Sequence, residues 1–205
     1  MPFQVKKVFF TDYIFTVWEN VYEPAEDSFL FAENLIVKEG EKVLDMGTGC
    51  GILGIIAAEK ASEVVAVDIN PYAVKCAMEN AKLNGVKDKI SFVQGDLFTP
   101  LRQGAKFDVI LFNAPYLPSI CEEENSWLAR AWAGGTGGRD LIDRFIYEAP
   151  KFLERNGRIL LLQSTLSGVS ETLTGFSQRG LKTSVLAKCD LPFFEAILLV
   201  KAELK

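Results

Sequence analysis

A chain of 205 residues, 49% hydrophobic and 24% charged, has the composition of an ordinary globular protein and enough length to bury one full core. With 22 basic and 27 acidic side chains the net charge is −5, and the isoelectric point near 5.0 disfavours direct nucleic-acid binding by charge. There is no histidine, which excludes a Ser-His-Asp triad, a Cys-His dyad and a His-ligated zinc site. The cysteines Cys50, Cys76, Cys121 and Cys189 form no C-x-x-C pair, so reduced thiols in a cytoplasmic setting are expected. Residues 1–7 lack a signal-peptide pattern, and no apolar run approaches the ~20 residues a membrane span needs.

In chain order, residues 8–22 are aromatic and β-prone and predict an edge hairpin or a flap over a pocket. Residues 1–25 are thus an appendage to a single domain spanning 1–205. A helix is predicted over 26–37. Short runs rich in Val, Ile and Leu predict buried strands at 42–46, 64–68, 90–94, 107–112 and 158–162. Amphipathic spacing between them predicts helices over 51–60, 71–84 and 140–154. Asn70 and Pro71 suit the cap and first turn of the second of these, and Asn84-Gly85 suits its stop.

Strands alternating with helices give a parallel sheet covered on both faces. Residues 181–187 and 193–201 leave no room for a helix between them and predict an antiparallel pair. The expected fold is therefore α/β, with five parallel strands and an antiparallel C-terminal pair. Residues 116–138 form a long segment with two tryptophans and a glutamate run at 122–124. It follows the fourth strand, at the sheet end where open α/β folds bind ligands.

Val43-Leu44-Asp45-Met46-Gly47-Thr48-Gly49-Cys50-Gly51 reads as a strand, a glycine turn and a helix start. Gly49, Gly51 and Gly54 formally satisfy G-x-G-x-x-G, the dinucleotide pattern, but Asp45 at the strand end would repel a pyrophosphate. It would favour a ligand with a positive charge, such as a methionine ammonium. Asp68 ends the second strand, where a carboxylate can accept from both hydroxyls of a ribose, in NAD or in S-adenosylmethionine alike. Asp96 follows the third strand and can accept from an adenine amino group, while the Leu97 N–H meets a ring nitrogen. Each acid alone reads equally well as a loop cap, but together they mark one rim.

Asn113-Ala114-Pro115-Tyr116 follows the fourth strand. The Asn113 side-chain oxygen and the Ala114 carbonyl can accept the two hydrogens of a planar NH₂, with Pro115 fixing the carbonyl and Tyr116 offering a stacking face. Such a grip pushes electron density back onto an amide or aryl amine nitrogen and aims it at a methyl carbon. No strong base is needed when the methyl donor is an activated sulfonium. An Asn-x-Pro turn is the bland alternative.

These four residues resemble the Asn-Pro-Pro-Tyr signature of amino methyltransferases that act on glutamine or adenine nitrogen. With residues 21–28 (Val-Tyr-Glu-Pro-Ala-Glu-Asp-Ser), 45–51 and 107–118, the chain resembles the HemK/PrmC group of protein-glutamine methyltransferases in its short eukaryotic and archaeal form. Ala131-Trp132-Ala133-Gly134-Gly135, Gly138-Arg139 and Asp143-Arg144-Phe145 resemble the release-factor-modifying subset. The likeness runs from about residue 21 to the end, without the amino-terminal helical domain of the bacterial members.

The resemblance implies a Rossmann-like, seven-stranded class I methyltransferase sheet, S-adenosyl-L-methionine as cofactor, and the glutamine of the Gly-Gly-Gln motif in a class-1 translation release factor as substrate. It assigns Ser28, Asp45, Gly47, Asp68, Asp96 and Leu97 to the cofactor, and Gly49 joins them as a glycine of the loop. Asn113 is assigned to both ligands. Ala114 stands where the signature has its first proline; the position contributes a carbonyl, so the chemistry is expected to survive with a less rigid turn. The resemblance also implies a small zinc-binding activator subunit covering an apolar sheet edge. A mean hydropathy of +0.15 with 15 phenylalanines is compatible with that. The glutamate run at 122–124 suits a basic release-factor surface, or is a solvated loop. The alternatives are an exocyclic-amine methyltransferase acting on RNA or DNA, and a non-catalytic nucleotide-binding module.

Overall fold

A computed structural model describes residues 5–119 and 126–204. Cys121 and the glutamate run at 122–124 lie outside the described residues. The strands are β1 (Val5–Phe10), β2 (Tyr13–Trp18), β3 (Lys42–Met46), β4 (Glu63–Asp68), β5 (Ile90–Gln94), β6 (Phe107–Asn113), β7 (Leu153–Ser164), β8 (Leu181–Asp190) and β9 (Ala196–Leu204). The helices are α1 (Glu26–Glu33), α2 (Ile52–Ala57), α3 (Pro71–Leu83), α4 (Trp127–Arg130), α5 (Asp140–Glu148) and α6 (Val169–Gln178).

The main sheet has seven strands in the order β5-β4-β3-β6-β7-β9-β8. β5, β4, β3, β6 and β7 run parallel, and β9 inserts antiparallel between β7 and β8. This is the Rossmann-like methyltransferase arrangement, with the expected antiparallel pair at its carboxyl-terminal end. From β3 the chain first builds outward through β4 and β5, then returns to β6 on the other side of β3. A crevice therefore opens beyond the carboxyl ends of β3 and β6, the place where open α/β sheets bind ligands.

Because side chains alternate along a strand, the sheet feeds two cores. Val43, Val64, Ala66, Val109, Leu111, Leu160 and Leu162 pack under α1, α2 and α3, whereas Leu44, Met46, Val67, Ile110, Phe112, Ile159 and Leu161 pack under α5 and α6. The central strands are buried on both faces, which is why their sequences read as continuous apolar runs.

The expected helix over 71–84 is α3, with the Asn70 side chain accepting from Tyr72 N–H at 2.9 Å and Pro71 in the first turn. Other boundaries differ. The helix expected to reach 154 stops at Glu148, because Pro150 tightens 149–152 into a 3₁₀ turn and Leu153 already starts β7. The helix expected over 26–37 ends at Glu33. The last strand spans Ala196–Leu204, not 193–201, because Phe193 turns with φ 62°. α4 and α6 were not expected.

The amino-terminal strands form the expected antiparallel hairpin, but as a separate two-stranded sheet that, among the described residues, pairs with no strand of the main one, so it is not an edge of that sheet. Phe15 and Val17 bury themselves over α3. Asn80, itself buried, accepts from Thr16 N–H at 2.8 Å and donates to the Thr16 and Cys50 carbonyls at 2.8 Å each. Asn84 stitches Ile14 in the same manner. No helix among the described residues is long and apolar enough to cross a membrane.

Candidate active site

A cavity of about 340 Å³ lies at the carboxyl ends of β3, β4, β5 and β6, within the size range of small-molecule sites. Ser28, Gly47, Gly49, Asp68, Asp96, Leu97, Asn113, Ala114, Pro115 and Tyr116 all line it. Asp45 does not.

Asp45 lies beneath the glycine turn, 1% exposed, where its Oδ2 accepts from the Thr48 hydroxyl at 2.6 Å and from Gly54 N–H at 3.0 Å. A Cβ at Gly54 would stand 2.7 Å from that oxygen, so the carboxylate can approach the first turn of α2 only over a glycine. The direct attraction of a ligand ammonium expected of Asp45 is thus replaced by anchoring of the loop. Burial pushes its pKa up to about 7, against the pull of the Thr48 and Gly54 bonds and with a small further push from Asp68.

Asp68 meets the loop from β4. Its two oxygens accept from Gly49 N–H at 2.9 Å and Asn70 N–H at 2.8 Å, and burial raises its pKa despite these bonds. The lone pairs left over face a cavity that Gly47 and Gly49 line with bare backbone, both at positive φ. Beyond β5, Asp96 accepts from Arg144 at 2.7 Å, and Leu97 holds an uncommon φ of 46° beside it. Left-handed backbone at a leucine is strained, and such strain concentrates at ligand sites.

The β6 end carries the most specific geometry. Asn113 donates from Nδ2 to the Asp27 carboxylate at 3.1 Å and lies 3.4 Å from the Ser28 hydroxyl. A carboxylate oxygen can only accept, so this contact fixes which end of the amide is NH₂. The other end, Asn113 Oδ1, is buried and has no hydrogen-bond partner among the described residues. Ala114 donates its N–H to the Leu162 carbonyl at 3.3 Å, tying the turn to β7.

Asp27 is the hub that sequence reasoning missed. It is 6% exposed and accepts from Ser28 N–H at 2.6 Å and from the Tyr22 hydroxyl at 3.0 Å; the Tyr116 hydroxyl lies 3.5 Å away. Burial, and then the Asp27 charge, raise both tyrosine pKa values, so each hydroxyl stays a donor. Tyr22, Trp132 and Arg144 are further lining residues not singled out for the site in advance. The only signal for Asp27 lay in the stretch around Ser28.

The family model for ribosomal protein L11 methyltransferase (PrmA) matches residues 27–124. A Methanocaldococcus jannaschii protein, to which protein N5-glutamine methyltransferase activity is assigned by name, is 48% identical over 181 residues, 87% of this chain and 90% of that protein. The methyltransferase HEMK2 of Homo sapiens is 33% identical over 183 residues, 83% of this chain and 85% of its own. Among solved structures, a chain of the E. cuniculi Mtq2-Trm112 complex, responsible for methylation of the eRF1 translation termination factor, has a TM-score of 0.70 and 26% identity. The match covers 91% of this chain and 99% of that one.

Proposed function

The chain belongs to the HemK-type family of protein N5-glutamine methyltransferases, and from that premise we propose that it methylates the side-chain amide nitrogen of the glutamine in the Gly-Gly-Gln motif of a class-1 translation release factor. The methyl donor is S-adenosyl-L-methionine, which supplies a methyl group already activated on a sulfonium. Asp68, Gly47, Gly49, Asp96, Leu97 and Ser28 are the residues that would hold it. The acidic strand ends and bare loop backbone fit its ribose and adenine, and Asp45 keeps the loop in shape.

One observation carries the reading, the buried Asn113 Oδ1 that has no partner among the described residues. Leaving such an oxygen dry costs stability, on the order of 1–3 kcal/mol, unless an incoming group satisfies it. Asp27 and Ser28 hold the Nδ2 end, so what Asn113 offers an acceptor is an oxygen, and the acceptor must bring an N–H. The Ala114 carbonyl takes the second N–H of the same NH₂, and Tyr116 gives the planar amide a face. With the methyl activated on a sulfonium the grip would need no base: the amide nitrogen would attack the methyl carbon as the carbon–sulfur bond breaks to a neutral thioether, and the extra proton would then pass to water.

The partner reading is a small zinc-binding activator subunit, supported by the two-chain assembly of the E. cuniculi relative. The same reading places the chain in the cytoplasm with its substrate.

Transfer of labelled methyl from S-adenosyl-L-methionine to purified release factor, with and without an activator subunit, tests the proposal. Label is expected on the factor and not on a factor whose motif glutamine is replaced by alanine; label on bulk RNA alone would overturn it. N113A is expected to lose about 10²-fold or more in kcat, the scale of one preorganised polar contact, while cofactor affinity measured by calorimetry is largely kept.

A further inference from the structure

Between α4 and α5 the chain doubles back under the turn that follows Asn113. Leu117 N–H donates to the Trp132 carbonyl at 2.9 Å, Gly134 N–H to the Leu117 carbonyl at 2.8 Å, and Ser119 N–H to the Gly135 carbonyl at 2.9 Å. Gly138, at φ +69°, is wedged behind this bracket. A Cβ there would stand 2.4 Å from the Tyr116 carbonyl oxygen and 3.3 Å from Ser167 Cβ. The signature turn and the β7–α6 turn therefore meet across one glycine.

The next residue bolts the two together. Arg139, with a side chain only 17% exposed, donates from Nη1 to the carbonyls of Ser167 and Gly168 (2.6 Å to the latter) and to the Thr172 hydroxyl at 3.2 Å. Its Nη2 donates to Asp143 at 2.6 Å. The receiving turn is itself held, since buried Gln163 donates to the Ser167 hydroxyl at 3.2 Å and that hydroxyl donates to the Ser164 carbonyl at 2.9 Å. Nη1 has two hydrogens for its three acceptors, so one is shared, while Nη2 holds Asp143; the rigid fork spans both sides at once, a geometry that a lysine point charge lacks. Arg139 is not among the cavity-lining residues.

We propose that Arg139 is a positioning residue for the acceptor half of the site, an inference that rests on the methyl-transfer reading. It fixes residues 131–138 against the end of β7. That segment supplies Trp132, which meets Tyr22 edge-on across the cavity wall with ring centroids 6.3 Å apart, and it braces the chain from Tyr116 to Ser119. Of the residues that would hold the cofactor, Gly47, Gly49 and Asp68 sit at the ends of β3 and β4 with no bond to Arg139, and Asp96 is bonded to Arg144 of α5 rather than to Arg139. Displacing a reacting group by ~1 Å can cost about 10²-fold in rate. Loosening the brace should therefore hurt acceptor use and spare cofactor binding.

The experiment compares wild type with R139A and R139K on three readouts: kcat/KM for release factor, cofactor Kd, and the indole N–H resonance of Trp132 in a ¹⁵N-labelled sample, assigned with W132F. For R139A, kcat/KM is expected to fall by about 10- to 100-fold, cofactor Kd to stay within about twofold, and the Trp132 resonance to broaden or split. R139K should recover little, and added guanidinium at non-denaturing concentration should recover part of the R139A loss. Unchanged kcat/KM overturns the inference, as does an equal loss of cofactor affinity or a sharp, unmoved Trp132 resonance. If R139A does not fold, R139K is judged on the same readouts. Failure of wild type to methylate release factor would instead strike the functional reading, leaving the Trp132 resonance to decide whether Arg139 orders the wall.

Discussion

Replacing Asp27 by asparagine keeps the shape of the hub and inverts its polarity. The carboxylate accepts at Oδ1 from Ser28 N–H (2.6 Å), the Ser28 hydroxyl (3.1 Å) and the Tyr22 hydroxyl (3.0 Å), and at Oδ2 from Asn113 Nδ2 (3.1 Å). An asparagine has one oxygen, and the three donors on the Ser28 side claim it. Its NH₂ then faces the Asn113 NH₂, and Asn113 can relieve that only by turning its amide over. The turned amide presents a donor where the acceptor glutamine also has donors.

The expected loss is that of one preorganised polar contact in the transition state, about 10²–10³ in kcat or ~2.7–4 kcal/mol. Cofactor Kd should change by less than about threefold, or roughly 0.7 kcal/mol. Initial rates of labelled methyl transfer measure the first and calorimetry the second, with the thermal midpoint as a control for folding. The exchange D27N/N113D restores the pattern, because the new amide at 27 donates to the new carboxylate at 113, whose other oxygen faces the acceptor. It should run about tenfold faster than D27N, ~1.4 kcal/mol in the barrier. Near-normal turnover by D27N, or an exchange variant no faster than D27N, would refute the polarity argument.

Other expectations follow from the same contacts. D68A removes the carboxylate bonded to Gly49 and Asn70, and cofactor Kd measured by calorimetry should weaken by about 10- to 100-fold, the scale of charged hydrogen bonds. Asp45 has a folded pKa near 7, above its ordinary carboxyl value, so the folded state binds the extra proton between about pH 4 and 7. Stability from that group is thus present at low pH and lost as pH rises to 7; urea midpoints should fall across that window in wild type and less so in D45N, and equal slopes would count against it. A114P deletes the N–H bonded to the Leu162 carbonyl and puts a ring carbon in its place, so it should destabilise by about 1–3 kcal/mol in denaturant titration, even though proline is the more rigid residue.

The centre of the sheet was legible because its strands are buried on both faces and their apolar runs have no competing period. β3 and β5 appear with the expected bounds. α6 was not legible. Its sequence, VSETLTGFSQ, mixes β-branched and hydroxyl residues with a glycine, and only Thr172 and Phe176 are buried. Its support is tertiary: those two side chains are buried, and Gly175 lets α6 pack close to Ile146 of α5, where a Cβ would stand 3.2 Å from that side chain. Pro150 did carry a trace of the end of α5, which amphipathic spacing through 154 outweighed. In the site, residue types at strand ends were enough to gather the cavity lining, but not to show which acids face it. Asp45 turned inward to α2, and Asp27 entered from a helix whose contact with Asn113 spans 86 residues.

That long-range contact follows from strand alternation. Val109 and Leu111 point to the core under α1, α2 and α3, whereas Ile110 and Phe112 point to the other, so Asn113 inherits the α1 side by parity. α1 is where Asp27 and Ser28 sit, in its first turn, aimed at the sheet's carboxyl edge. A slip of β6 by one residue would send Asn113 toward Phe145 of α5 and bring Phe112 to the Asp27 side. The slip is opposed by Phe112 packing tilted against Phe145, with ring centroids 4.6 Å apart, and by pairing of Asn113 with Leu162 on β7. The side-chain oxygen proposed to meet the substrate is therefore oriented by one carboxylate, but the carboxylate reaches it only because the apolar register of β6 holds. The proposed selectivity for a planar NH₂ is in this sense a property of the sheet as much as of the four-residue turn.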